Sequence, residues 1–219
     1  MRVVLTRTVG ANDALARALA AEGFEPVECP LLRIEPLDGP PVHAEGYDWL
    51  VLTSRNAVEQ LFRRLEGSLP PVAVIGPGTA ESLRERGVEP ALVAARPTQE
   101  GVLEVLPRPA GRVLFAGADG ARDLLVRELG ADFVPLYRTV ELHPRDFPEG
   151  DLVVLGSASA ARALAGLRPD LPCVSIGPVT SAEARRHDLR VIAEAEAPDL
   201  EGVVAAIKLA ASTIASSPS

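Results

Sequence analysis

The chain predicts an α/β protein in which parallel sheets are wrapped by helices, and it is written as two related halves. Short apolar runs rich in β-formers alternate with amphipathic stretches of roughly ten residues, the rhythm of βα units. These runs end in Gly, Ser, Thr or Pro where a helix would open. The pattern is also duplicated: Val72-Ala-Val-Ile-Gly-Pro-Gly-Thr79 returns as Cys173-Val-Ser-Ile-Gly-Pro-Val-Thr180, with Gly76 and Gly177 101 residues apart. Asp48-Trp-Leu-Val-Leu-Thr-Ser-Arg-Asn-Ala-Val58 is answered by Asp151-Leu-Val-Val-Leu-Gly-Ser-Ala-Ser-Ala-Ala161. Pro97-Thr-Gln-Glu-Gly-Val102 and Pro198-Asp-Leu-Glu-Gly-Val203 again lie 101 residues apart. A spacing kept over so much chain is a duplication.

Taken in order, Val3 to Thr6 reads as a buried strand, and Asn12 to Ala21 as a helix with Leu15, Ala18 and Leu19 on one face, ended by Gly23. Phe24 to Glu28 is a second strand, and Pro30 to Pro36 an extended segment bounded by prolines. A Pro/Gly loop follows at Asp38 to Pro41. Trp49 to Thr53 is a strand, and Ser54 to Leu65 a helix presenting Ala57, Val58, Leu61, Phe62 and Leu65. Next come a strand at Val72 to Ile75, a helix from Thr79 to Arg86 closed by Gly87, and a helix from Pro97-Thr98 to Leu106.

The N-terminal pattern then restarts. Gly111-Arg-Val-Leu-Phe115 repeats Arg2-Val-Val-Leu, Arg122 to Leu129 is helical, and Val134-Pro-Leu-Tyr-Arg138 matches Cys29-Pro-Leu-Leu-Arg33. The chain is therefore written A (1 to 37), B (47 to 107), A′ (111 to 143), B′ (151 to 208), with a Ser-rich tail from Ala211 to Ser219 expected to fray. Either A pairs with B and A′ with B′, or A pairs with B′ and B with A′; the order alone favours neither. The connectors Leu31 to Pro36 and Leu136 to His143 are proline-flanked and rich in β-formers, which suits a two-stranded ladder and leans toward the second arrangement.

Composition excludes several classes. With 47% hydrophobic and 24% charged residues the chain is globular, and no apolar run approaches the roughly 18 residues a membrane helix needs. Met1-Arg-Val-Val-Leu-Thr-Arg7 reads as a strand and lacks the layout of a signal peptide, so a cytoplasmic protein is expected. The net charge is −8 and Lys208 is the only lysine, a poor balance for nucleic acid. Cys29 and Cys173 lack redox or metal spacing and are expected in the core, and His43, His143 and His187 have no partner at ligand spacing, so no metal is expected.

Four strand-to-helix junctions are polar: Thr53-Ser54-Arg55-Asn56, Gly76-Pro77-Gly78-Thr79, Ser157-Ala158-Ser159 and Gly177-Pro178-Val179-Thr180. In open α/β sheets ligands sit beyond the carboxyl ends of the strands, where helix N-termini present unpaired N–H groups, so an anionic ligand follows. The competing use of these residues is helix capping, with Thr180-x-x-Glu183 as a capping box and Thr79 or Ser54 in like roles. Gly76-Pro-Gly78 lacks the third glycine of a dinucleotide fingerprint, no P-loop is present, and no Ser-His-Asp or Cys-His order is legible.

Read together, Thr6-Arg7, Thr53-Ser54-x-Asn56-Ala57-Val58, Ile75-Gly76-x-x-Thr79-Ala80, Gly120-x-Arg122, Tyr137-Arg138, Ser157-x-Ser159, Ile176-Gly177-Pro178-x-Thr180 and Ala197-Pro198-x-Leu200-Glu201-Gly202 resemble the uroporphyrinogen-III synthase family. The ordered set spans nearly the whole chain. It departs from the family pattern at Gly156, where a threonine is usual, and at Asp188, where a glycine is usual.

The resemblance implies two flavodoxin-like or HemD-like parallel-sheet domains joined by a two-stranded β connector. Domain 1 would be 1–34 plus 144–219, domain 2 would be 38–135, and 35–37 with 136–143 the links. It implies cyclisation of hydroxymethylbilane to uroporphyrinogen III with inversion of ring D and loss of water, and no cofactor. By resemblance Tyr137 assists the departing hydroxyl. Arg7, Ser54, Thr79, Arg122, Arg138, Ser157, Ser159, Gly177 and Thr180 would hold the substrate's carboxylates. A monomer receiving its substrate from hydroxymethylbilane synthase in a transient hand-off completes the expectation. A non-catalytic two-domain protein that binds a small anion would share the fold and the helix N-termini, and formation of the type III isomer separates the two.

Overall fold

The computed structural model describes residues 1–216. The chain opens with β1 (Arg2–Leu5), α1 (Asp13–Ala21), β2 (Glu25–Glu28) and β3 (Leu32–Pro36). It continues through β4 (Val42–His43), β5 (Trp49–Leu52), α2 (Arg55–Arg64), β6 (Leu65–Glu66), β7 (Val72–Val74), α3 (Pro77–Arg84), β8 (Leu92–Val93) and α4 (Gln99–Val105). Then come β9 (Val113–Ala118), α5 (Leu124–Leu129), β10 (Asp132–Glu141), β11 (Leu152–Leu155), α6 (Ala158–Ala165), β12 (Cys173–Ser175), α7 (Pro178–Arg186), β13 (Val191–Glu194) and α8 (Leu200–Ala215).

Two compact units result, one made of Met1–Arg33 with the chain from Val140 onward, the other of Ile34–Thr139. In the first, the sheet order is β13-β12-β11-β1-β2. Its strands run parallel, with Val3 opposite Leu152 and Leu5 opposite Val154. Period-two alternation sends Val4, Val153, Leu155 and Cys173 to one face and Val3, Leu5, Leu152, Val154 and Val174 to the other. Both faces are covered by helices, which is why Leu152-Val-Val-Leu155 is apolar throughout.

The second unit has the order β3-β10-β9-β5-β7-β8, with β4 and β6 forming a separate two-stranded ladder. From β10 to β8 the neighbours are parallel. Leu50, Leu52, Val72, Val74 and Leu114 fill one side, and Val51, Ala73, Val113 and Phe115 the other.

The duplication is visible at atomic detail. Ser54 and Ser157 cap α2 and α6 with nearly the same backbone, φ/ψ of −166/159 and −168/163, and accept hydrogen bonds from Ala57 N and Ala160 N. Thr98 and Asp199 cap α4 and α8 by accepting from Gly101 N and Gly202 N. A Cβ on Gly101 would collide with the Arg96 carbonyl, and one on Gly202 with the Ala197 carbonyl, so the Glu-Gly-Val triplets are glycine for the same reason. Asp188 has φ +58 where Gly87 has φ +79. Each closes its helix through an amide bonded back to the preceding turn, and Asp tolerates the left-handed region better than most residues.

Three local expectations are corrected. α3 and α7 begin at Pro77 and Pro178, two residues before Thr79 and Thr180, because proline's fixed φ suits the first helical position. The capping box at Thr180 is therefore absent, and Glu183 pairs with Arg162 instead. Residues 211–215 continue α8 rather than fray. Ser212, Thr213 and Ser216 donate to the carbonyls of Lys208, Leu209 and Ser212, which satisfies their hydroxyls within the helix. The rest of that tail, 217–219, lies outside the described residues.

Candidate active site

In each unit the helix starts collect at the carboxyl edge of the sheet, beyond the strand ends. In the first unit the connection from β1 leads to β2 on one side, while that from β11 leads to β12 on the other, so the switch point lies between β1 and β11. In the second it lies between β5 and β9, since β5 leads on to β7 and β9 leads to β10. Such points leave a crevice between diverging loops.

Tyr137 reaches over the second unit's switch point. β10 shifts register against β9 between Pro135 and Tyr137, and this irregularity accompanies Leu136 and Tyr137 packing into the same core, where strict alternation would send them to opposite faces. The Asp119 amide donates to the Tyr137 carbonyl at 2.6 Å and pins the backbone there. The phenol is 2.8 Å from Ser54 Oγ, which caps α2 just beyond β5, two strands away in the sheet. Ser54 Oγ also accepts from Ala57 N at 2.9 Å. One lone pair of the serine is thus spent on the helix cap, while its proton and remaining lone pair are open to the tyrosine or to a ligand.

Tyr137 is 5% exposed, and burial pushes its pKa above the ordinary tyrosine range against the opposing pull of the Ser54 hydrogen bond. It is a neutral phenol at any physiological pH. A neutral, positioned O–H can donate to a departing oxygen without first losing a charge.

Beside this pair, α3 starts at Gly76-Pro77 with no side-chain cap, and Thr79 is buried in its first turn. Arg55 lies across Gly78, where a Cβ would stand 3.0 Å from its Nε, and pairs with Glu81 at 2.7 Å. Two expected carboxylate partners are engaged with the chain's own acids. Arg122 forks onto Glu100 at 2.7 and 2.9 Å, and this guanidinium holds the Glu100 pKa down to about 2. Arg138 pairs with Glu35, its Nε 2.5 Å from Oε2.

The first unit repeats the arrangement. Ser157 caps α6, and Ser159 Oγ accepts from Arg162 at 3.0 Å. Arg162 also bridges Glu141 and Glu183, at 3.2 and 3.1 Å, a cluster no sequence motif signalled. α7 starts at Gly177-Pro178 without a side-chain cap, and Thr180 is buried in its first turn. Arg7 is exposed just beyond β1. The structure therefore brings Ser54 and Tyr137 into direct contact, and sets Thr79 in one unit and Thr180 in the other at corresponding helix starts.

Both cysteines are free and buried, and burial pushes the Cys173 thiol up to about 12, which makes it a packing residue. Among the described residues no group of three or more His, Cys, Asp or Glu is placed to hold a metal ion. Among the same residues no helix is long and apolar enough to cross a membrane.

Solved structures share this fold. Uroporphyrinogen-III synthetase from Helicobacter pylori 26695 superposes with a TM-score of 0.68, at 18% identity, over 97% of this chain and all (100%) of that one. A mutant uroporphyrinogen III synthase from Thermus thermophilus gives 0.65 at 18% identity, over 97% and 99% of the two chains. Among sequences, the uroporphyrinogen-III synthase of Synechococcus elongatus is 27% identical over 94% of each protein. A putative uroporphyrinogen-III synthase of Methanocaldococcus jannaschii is 30% identical over 64% of this chain, and the match spans 63% of the archaeal protein's length. The family model described as uroporphyrinogen-III synthase HemD matches residues 13–205, nearly the whole of the duplicated pattern, and the chain belongs to that family.

Proposed function

We propose that the chain converts hydroxymethylbilane to uroporphyrinogen III, closing the macrocycle with inversion of ring D through a spiro intermediate and loss of water. The observation that carries this reading is the family match over residues 13–205. The geometry supports it in kind. The substrate bears eight carboxylates, and each unit gathers helix N-termini at one sheet edge, those of α3 and α7 among them without side-chain caps. Local N–H donors and arginines there act against a net charge of −8.

The pyrroles supply the electrons that expel the hydroxyl. The protein's tasks are then to donate a hydrogen bond to the leaving oxygen and to hold ring D against the reacting carbon. Tyr137 takes the first, with Ser54 orienting its phenol; Thr79, Thr180, Ser157, Ser159, Gly177, Arg7, Arg122 and Arg138 share the second. For Arg122 and Arg138 this role requires exchange of Glu100 and Glu35 for substrate carboxylates. A cytoplasmic location, a monomeric state and hand-off from hydroxymethylbilane synthase belong to the same proposal.

The test is to add hydroxymethylbilane and separate the product isomers. Excess type III over the type I formed by spontaneous closure is expected. Type I alone would leave the chain a binding protein.

A further inference from the structure

Gln99 is a buried amide spent on a surface turn. It stands at the start of α4, 5% exposed, and its Nε2 donates to the Arg122 carbonyl at 3.0 Å. Its buried Oε1 finds no hydrogen-bond partner among the described residues. The Arg122 carbonyl decides which end of the amide faces it, since Oε1 turned that way would meet another oxygen. An open buried acceptor costs more than one neutral hydrogen bond returns, so for stability alone an apolar side chain of this length would serve as well or better. Nor does the helix start need the amide, because Thr98 caps it by accepting from Gly101 N.

What the amide holds is the turn that leaves β9. Ala121 N donates to the Ala118 carbonyl at 3.0 Å around Gly120, at φ +79, and Arg122 follows at once. Asp119, inside this turn, gives its amide to the Tyr137 carbonyl at 2.6 Å, just where β10 resumes its register against β9 with Tyr137 opposite Ala118. One short turn is thus held at Arg122 by Gln99 and holds Tyr137 through Asp119. The other tie on Arg122, the fork onto Glu100, is exposed and correspondingly weak. The duplication supplies an internal comparison. Gln99 answers to Leu200, which is 43% exposed, and Tyr137 answers to Leu32. The half that lacks the phenol lacks the amide as well.

We infer that Gln99 is a positioning residue for the cyclisation, fixing the backbone of Tyr137 through the turn between β9 and α5 and so setting where the phenol stands beside Ser54. This rests on the reading in which Tyr137 donates to the leaving hydroxyl. Without the amide, the carbonyl of Arg122, an exposed residue, turns to water and the turn relaxes with it. A displaced proton donor costs rate, while the groups that hold the substrate's carboxylates elsewhere are untouched.

The experiment measures kcat, KM and melting temperature for the intact chain, Gln99→Met, Tyr137→Phe and the double variant, with hydroxymethylbilane as substrate. Methionine keeps the length of the side chain and suits a helix. Gln99→Met is expected to lower kcat by about tenfold or more, with KM within about twofold. Its melting temperature should stay within about 3 °C of the parent or rise. Beside Tyr137→Phe the same change should cost no more than about twofold, since the hydroxyl it positions is already gone. Amide exchange at Asp119, followed by NMR, should quicken about tenfold in Gln99→Met whatever the reaction. Parent kcat in Gln99→Met, an undiminished loss beside Tyr137→Phe, or parent exchange at Asp119 overturns the inference. So does a Gln99→Met protein that melts far lower or fails to fold, because the amide would then be serving the core. A parent chain that makes no type III isomer sinks the proposed reaction instead, and exchange at Asp119 still judges the mechanical link.

Discussion

Replacing Tyr137 by phenylalanine removes one oxygen and leaves the ring, so its consequences can be worked from the site. The phenol's hydrogen bond is the 2.8 Å contact with Ser54 Oγ, in a position 5% exposed. Ser54 keeps its bond from Ala57 N. The stability cost is that of one neutral hydrogen bond, about 0.5–1.5 kcal/mol. At roughly 2–4 °C per kcal/mol for a chain of this size, the melting temperature should fall by only a few degrees. Catalysis should fall much further, about 10²- to 10⁴-fold, if the phenol is the donor to the leaving hydroxyl. The remaining product should still be type III, because the retained ring preserves the shape that turns ring D.

The assay is initial rate, isomer ratio and melting temperature beside the parent chain. Parent-like rate at parent-like stability would return Tyr137 to packing. Residual catalysis giving type I would mean that its hydroxyl steers ring D.

The pH dependence follows in sign. Burial raises the folded pKa above the ordinary 10. The phenol's contribution to activity should therefore be flat across neutral pH. Its contribution to stability is full below the unfolded value and is lost as pH rises toward the folded one.

Further outcomes follow from single contacts. Gly202→Ala and Gly101→Ala drive a methyl into the backbone carbonyls of Ala197 and Arg96, which cannot swing aside. Each should cost about 1–3 kcal/mol by denaturant titration, and an unchanged midpoint would refute the close approach. Asp188→Gly relieves a left-handed residue at φ +58 and should add up to about 1 kcal/mol, read as a higher denaturant midpoint; a lower midpoint would contradict this. Glu100→Gln breaks an exposed fork with Arg122, so it should change stability by less than about 1 kcal/mol. Because the Glu100 pKa is lowered from 4.5 to about 2, the pair's contribution is present above the upper value and lost as pH falls through the lower. Acid titration of the variant should lack that window.

The rhythm of strands and helices is legible because buried parallel strands read as unbroken apolar runs, and the duplication ties the two halves together. What escapes the sequence depends on contacts between distant residues. Whether Tyr137 points inward turns on a register shift between β9 and β10, and periodicity alone cannot reveal such a shift. Sequence reasoning places the starts of α3 and α7 too late because the threonines look like caps, whereas glycine before proline opens a helix with no side chain at all. The two-residue strands β4, β6 and β8 carry too few residues to show a period. Ser54 is visible as a cap, but its second partner lies 83 residues away.

If helix starts at the carboxyl edge of each sheet hold the substrate carboxylates, a crystal structure of the chain with uroporphyrinogen III should show them doing so. Carboxylates against the first-turn amides of α2 or α3 in one unit, and of α6 or α7 in the other, are the expected result. Product seated at the opposite ends of the strands, or held by side chains away from those helix starts, would contradict it.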